Sequence, residues 1–212
     1  MKVLQETQLD EIAEILRNDG VAAVATDTVY GVCARMDSRQ AQENLRQVKH
    51  RPKDKAFPLM CCDREQIESI AEVSEEAGKL IEAFMSGPVT LVLKKKDTLE
   101  DFVNGGMATV AVRMATSKAL EEIIRKVGCP LYMTSANQSG QPVCKTVQEI
   151  MDACPDLDVI VQGQPSYAQA STIIDCSTDT IRILREGPVR QEQIALIQKE
   201  NGYGRQDSGS TH

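Results

Sequence analysis

Strand-length apolar runs and helix-length amphipathic runs alternate along almost the whole chain, and that alternation constrains its fold more than any other feature. Thr7 with Asp10 three residues later is a capping-box-like start for a helix carrying Leu9, Ile12, Ile15 and Leu16, stopped at Gly20. Residues 21–25 are continuously apolar and of strand length. Ser38 caps a second helix bearing Ala41, Leu45 and Val48, and residues 57–62 read as the next strand. An acidic helical stretch over 65–85 breaks near Ser74. Strands are expected at 89–93, 109–114, 131–133, 158–161, 172–174 and 181–184. Between and after them come helices starting at Ser117 (stopped by Gly128), at Thr146 with Glu149, and over 191–199.

No repeat and no Pro/Ser-rich linker interrupts this order. The expected architecture is one α/β domain over residues 1–200, a twisted mixed sheet flanked by helices, with a loose polar tail at 201–212. Strand polarity is not legible from the pattern.

Against this background one segment stands apart. From Arg46 to Lys55 there are five basic residues and one acid, in a chain of net charge -7. Pro52 fixes its own φ and biases Arg51 toward extended backbone, so these cations sit on a loop and not along one helix face. Arg offers a planar fork for two phosphate oxygens and Lys a point charge. Two readings stand side by side: an anion clamp, or a solvated basic loop.

Composition narrows the partner. Only 3% of residues are aromatic and there is no Trp, which disfavours base stacking on exposed rings. The net negative charge disfavours a dedicated nucleic-acid surface. Seven cysteines, an odd count without a C-x-x-C pair, read as reduced, buried thiols of a cytosolic protein. His50 and His212 are the only histidines, so structural zinc and Ser-His-Asp or Cys-His chemistry are not expected.

Neither a G-x-x-x-x-G-K-[ST] nor a G-x-G-x-x-G motif is present. What remains is a set of polar residues where strands end: Thr26-Asp27-Thr28, the run from Thr134 to Gly140, and Ser171-Thr172, with Arg113 and Arg185 on strands. Hydroxyls and amides so placed can face one crevice and hold a small polar molecule, or they can simply form turns. Arg113 ends the apolar run Val110-Ala111-Val112, so its guanidinium reaches either water or an anion.

Taken together these segments resemble the YrdC/TsaC family, the threonylcarbamoyl-adenylate synthases of tRNA modification. Thr26-Asp27-Thr28-Val29-Tyr30-Gly31 resembles the family's T-[ED]-T-V-Y-G, and Lys49-x-Arg51-Pro52-x-Asp54-Lys55 its K-x-R-P-x-[DN]-[KN] loop. Gly87-Pro88-Val89-Thr90-Leu91-Val92-Leu93 is similar to G-P-[VL]-T-L-V-L, and Val110-Ala111-Val112-Arg113 to V-A-V-R. Ser135-Ala136-Asn137-Gln138-Ser139-Gly140 is similar to S-A-N-x-S-G. Ser171-Thr172-Ile173-Ile174-Asp175 and Ile183-Leu184-Arg185-Glu186-Gly187 resemble the closing S-T-[VI]-[VI]-D and I-L-R-x-G elements. The order is kept from Thr26 to Gly187. No His stands shortly after the basic loop, in Phe57-Pro58-Leu59-Met60-Cys61-Cys62, and the chain ends soon after Gly187; both features resemble the short bacterial form without a C-terminal domain.

The resemblance implies a YrdC-like fold with a basic substrate crevice, and synthesis of threonylcarbamoyl-AMP and pyrophosphate from L-threonine, bicarbonate and ATP. It implies catalytic roles for Lys49, Arg51 and Lys55. Arg51, Lys55, Thr109, Ser135, Lys145 and Arg185 are expected at ATP, and Thr28, Arg113, Asn137 and Ser171 at L-threonine. Mg²⁺ is expected to arrive with ATP, with no metal held by a protein ligand cluster; Asp27 and Asp175 read as turn caps at strand ends. The expected location is the cytoplasm, away from membranes. Partner proteins of tRNA modification would take the adenylate, and contact with tRNA itself would be weak or indirect. A paralogue acting on another carbamate or carbamoyl substrate, and a non-catalytic RNA- or nucleotide-binding protein, are the alternatives.

Overall fold

The computed structural model describes residues 1–85, 87–165 and 169–200. The chain opens with β1 (Lys2–Gln5), α1 (Leu9–Arg17), β2 (Ala22–Ala25), β3 (Tyr30–Arg35), α2 (Arg39–Lys49) and β4 (Leu59–Cys61). It continues through α3 (Arg64–Ile70), β5 (Ala71–Glu72), α4 (Glu75–Phe84), β6 (Val89–Lys95), α5 (Asp101–Asn104) and β7 (Thr109–Met114). The last elements are α6 (Lys118–Val127), β8 (Leu131–Ser135), α7 (Val147–Ala153), β9 (Val159–Gln162), β10 (Thr172–Asp175), β11 (Arg182–Arg185) and α8 (Gln191–Glu200).

All the strands join one mixed sheet in the order β1-β9-β2-β3-β8-β4-β7-β6-β10-β11, with β5 beside β6. The central pairs β2–β3, β3–β8 and β8–β4 are antiparallel, whereas β4–β7 and β6–β10 are parallel. Only β2 and β3 among these are joined by a tight turn; β3, β8 and β4 pair across long stretches of chain. This is the single α/β domain with a mixed sheet expected from the sequence.

Side-chain alternation divides the core between the two faces of the sheet. On β2, Ala23 joins one buried cluster while Ala22 and Val24 join the other. The larger cluster is roofed by α2, α3, α4, α7 and α8 through Leu45, Ile67, Leu80, Ile150 and Ile194. The second face is roofed by α1 and α6, through Ile12, Leu16, Leu120 and Ile124. These two helices cover only part of that face. Where it is uncovered, β6, β7 and β10 present Thr90, Ala111, Arg113 and Ile173, and a cavity opens.

Local signals account for most helix ends. Ser38, Ser74, Ser117 and Thr146 each accept a backbone N–H three residues on, at 3.1–3.2 Å. Gly128 ends α6 in the left-handed region, at φ 90°. One expectation is corrected, and two strands are added. Thr7 does not cap α1; Gln8 holds that position, without a side-chain cap. β1 went unread because its residues are mostly exposed, and it exists by pairing in parallel with β9. β3 went unread because Gly31 breaks its apolar run, yet all but its last residue are buried. The expected tail at 201–212 lies outside the described residues.

Candidate active site

The turn between β2 and β3 starts one wall. Thr26 donates its hydroxyl to the Val29 carbonyl at 2.6 Å and accepts from the Thr28 and Val29 amides at 3.2 Å. That closed turn holds Thr28 in place, and Thr28 accepts a hydrogen bond from Arg113 Nη1 at 2.9 Å. Arg113 lies on β7 in register with Met60 of β4. Its Nη2 donates to Asp27 Oδ1, in an ion pair whose side chains are 10% and 11% exposed. Arg113 Nε and Asp27 Oδ2 are buried without a partner. Burial pulls the Arg113 pKa down, and Asp27 opposes that pull.

The opposite wall comes from β10 and β11. Ser171 is buried, and its hydroxyl lies 2.8 Å from that of Thr90. Arg185 folds back, donating from Nε and Nη2 to the Ser171 carbonyl at 3.0 and 2.9 Å. Behind them Thr172 donates to the Val189 carbonyl at 2.7 Å and accepts from the Gly187 amide at 3.0 Å. A Cβ on Gly187 would stand 2.5 Å from the Ala170 carbonyl oxygen, so only glycine lets the closing strand approach this closely.

Thr28, Gly31, Arg51, Met60, Thr90, Arg113, Ser135, Ser171 and Arg185 converge on a crevice of about 370 Å³. A second cavity of about 330 Å³ is bordered by Arg51, Lys55, Phe57, Val92, Asn104, Met107, Thr109 and Val110. Arg51, Pro58 and Ala111 border both, so the two cavities are neighbours across these three residues. Each is large enough for a ligand-sized group.

The basic loop is an ordered part of the fold, and Arg46 and Arg51 organise it. Arg46 Nη1 donates to the Pro52 and Lys55 carbonyls at 2.8 and 3.2 Å. Arg51 Nη2 donates to the Ala56 carbonyl at 2.6 Å. The two guanidinium carbons lie 5.0 and 4.8 Å from the Phe57 ring centroid. Burial, and then the charge of Arg46, lower the Arg51 pKa. His50 enters the loop at φ 47°, a left-handed conformation usually left to glycine or asparagine.

Lys49 stands elsewhere than expected. It is 2% exposed and borders neither cavity. Its ammonium donates to the Ser135 carbonyl at 2.6 Å, to Asn137 Oδ1 at 2.8 Å and to the Asn137 carbonyl. Asn137 is likewise spent within the fold: its amide donates to the Gln138 and Gln141 carbonyls at 2.9 and 2.6 Å, while Oδ1 also accepts from Ser135 at 2.7 Å. Both residues therefore brace the turn that presents Ser135. Lys145 is exposed and borders neither cavity; Thr109 borders the second. Sequence reasoning missed Thr90 and Asn104 as cavity residues, because a Thr inside an apolar strand and an Asn before Gly-Gly carry stronger structural readings.

The described residues hold no group of three or more His, Cys, Asp or Glu that could take a metal ion. All seven cysteines are buried and free. Burial pushes the Cys33 thiol up to about 12 and Cys62 up to about 11, so neither is a ready nucleophile. No helix among the described residues is long and apolar enough to cross a membrane.

The fold and its crevice together define the class: a mixed α/β sheet with Arg51, Arg113 and Arg185 at one cavity. The family model for Sua5, YciO and YrdC, described as "Telomere recombination", matches residues 14–187, and the chain belongs to that family. A "Threonylcarbamoyl-AMP synthase" of Bacillus subtilis is 33% identical over 199 residues, covering 91% of this chain and 57% of that protein. The chain thus spans little more than half the length of that relative. A "Putative threonylcarbamoyl-AMP synthase" of Methanocaldococcus jannaschii is 32% identical, with 91% of this chain and 93% of the relative covered. The structure of P. abyssi Sua5 complexed with L-threonine superposes with a TM-score of 0.86 at 29% identity, over 92% of this chain and 60% of that one.

Proposed function

We propose that this protein is a threonylcarbamoyl-AMP synthase: L-threonine, bicarbonate and ATP give threonylcarbamoyl-AMP, pyrophosphate and water. One observation carries the reading. A buried guanidinium with an unpartnered Nε, Arg113, opens onto a crevice that neighbours a second cavity across Arg51. That juxtaposition suits two anionic substrates meeting end to end. The relatives' names and the threonine-bound homologue support the same assignment.

The amino acid occupies the crevice, its carboxylate on Arg113 and its polar groups near Thr28 and Ser171. The phosphates run past Arg51 toward Lys55, which is exposed at the mouth of the second cavity. Threonine's amine captures bicarbonate as a carbamate with loss of water. A carbamate oxygen then attacks the α-phosphorus, and the bond to pyrophosphate breaks. No protein nucleophile is required; the residues position reactants and offset the growing negative charge. Mg²⁺ enters as part of the nucleotide substrate, held by phosphate oxygens and water. The adenylate is then passed to the proteins that modify tRNA, and the site of action is the cytoplasm.

Pyrophosphate release measured with ATP, bicarbonate and each amino acid in turn tests the reading. Release should require threonine and bicarbonate together. Equal turnover with and without threonine would sink the synthase assignment and favour a family member acting on another carbamate.

A further inference from the structure

The second cavity has a polar feature that phosphate binding does not use. α5 ends at Asn104, and Gly105 and Gly106 follow at φ 71° and 73°. In the turn they make, Asn104 Nδ2 donates to the Met107 and Thr109 carbonyls at 2.6 and 2.9 Å. These two bonds settle which end of the amide is nitrogen, because a flipped amide would set oxygen against two carbonyls. The other end, Oδ1, is buried and has no partner, although the residue is 2% exposed and borders the cavity. A buried acceptor without a donor is costly, and native structures retain few. A ligand carrying an N–H would relieve it.

Apart from Arg51, Lys55 and Thr109, the rest of this lining is apolar. Ala56, Phe57, Pro58, Val92 and Val110 line it, and Met107, 46% exposed, stands at its border. Apolar walls with one fixed acceptor match the needs of a heteroaromatic base with an exocyclic amine. Arg51 and Lys55 border the same cavity on the side where phosphates would run.

We infer that Asn104 is the residue that reads the nucleobase, its Oδ1 accepting from the 6-amino group of adenine. Its two donor bonds hold that oxygen in place, so the turn 104–109 acts as a preset selector. A 6-oxo purine would turn a carbonyl toward Oδ1 and be rejected, since two acceptors face each other. This inference rests on the assignment of the site to a triphosphate substrate.

The test compares three nucleotides by titration calorimetry on the intact protein: ATP, inosine triphosphate and purine riboside triphosphate, which lacks the amine. ATP should bind roughly tenfold more tightly than the purine riboside form, the scale of one hydrogen bond to a buried acceptor, and inosine triphosphate should be weakest. Asn104→Thr keeps a hydroxyl for the turn and should erase the preference while leaving purine riboside triphosphate affinity close to the parent's. A preference that survives in Asn104→Thr, even with all affinities lowered, would give Asn104 a structural role only and overturn the inference. Equal binding of ATP and the purine riboside form by the parent protein would overturn it without any variant. Failure of every triphosphate to bind would instead bring down the synthase reading, and this inference with it.

Discussion

Lys49 and Arg113 are both buried cations, and what surrounds each one differs. Lys49 faces three oxygens, from the Ser135 carbonyl and from the carbonyl and side chain of Asn137. Arg113 meets Thr28 and Asp27 but keeps an unpartnered Nε beside an open crevice. One charge is consumed by the fold, whereas the other is only partly satisfied and borders space for a ligand. Burial of a cation is therefore no guide to function by itself; its unspent hydrogen-bonding capacity and its access to a cavity are.

The contrast breaks most visibly at Lys49. Lys49→Ala takes a donor from three oxygens, of which Asn137 Oδ1 keeps the Ser135 hydroxyl, and should cost about 3 kcal/mol of stability in urea unfolding. A variant as stable as the parent but unable to bind ATP would return Lys49 to the phosphates. Arg113→Ala should weaken L-threonine binding by roughly 1.5–3 kcal/mol, the range for a hydrogen bond to a charged group, with ATP affinity unchanged when measured alone. If calorimetry shows ATP lost and threonine spared, the two subsites are reversed. Arg51→Ala should weaken ATP by about tenfold and threonine much less, because Arg51 borders both cavities.

The remaining effect is a pH dependence. Burial lowers the Lys49 pKa from 10.5 to about 8. The unfolded chain then binds more protons than the folded one between those values, so this group's contribution to stability rises with pH across that window. The penalty of the buried charge is complete below about 8 and relieved above 10.5. The stability of the parent relative to Lys49→Met should accordingly improve from pH 8 to pH 10.5, and a flat difference would show that the three oxygens fully offset burial.

The order of elements, the positions of most helix caps and the short apolar strands were legible in the amino acids, because a capping hydroxyl or an apolar run acts on its near neighbours. Ser74 shows this: it divides the acidic stretch into α3 and α4 and caps the second. Arg113 could be picked out for a similar reason, since a cation ending an apolar run must find a partner. β3 was hidden by the Gly31 interruption of its apolar run, and β1 was not legible, because its residues are mostly exposed and it exists by pairing with distant β9. The same distance hid the division between Lys49 and Arg51, two residues apart on one basic segment. Only the packed turn at Ser135 and Asn137 draws Lys49 inward, and only the open half of the sheet leaves Arg51 at a cavity. Local propensity is written into neighbouring residues, whereas which charge is spent and which is free is decided by contacts that form when the sheet closes.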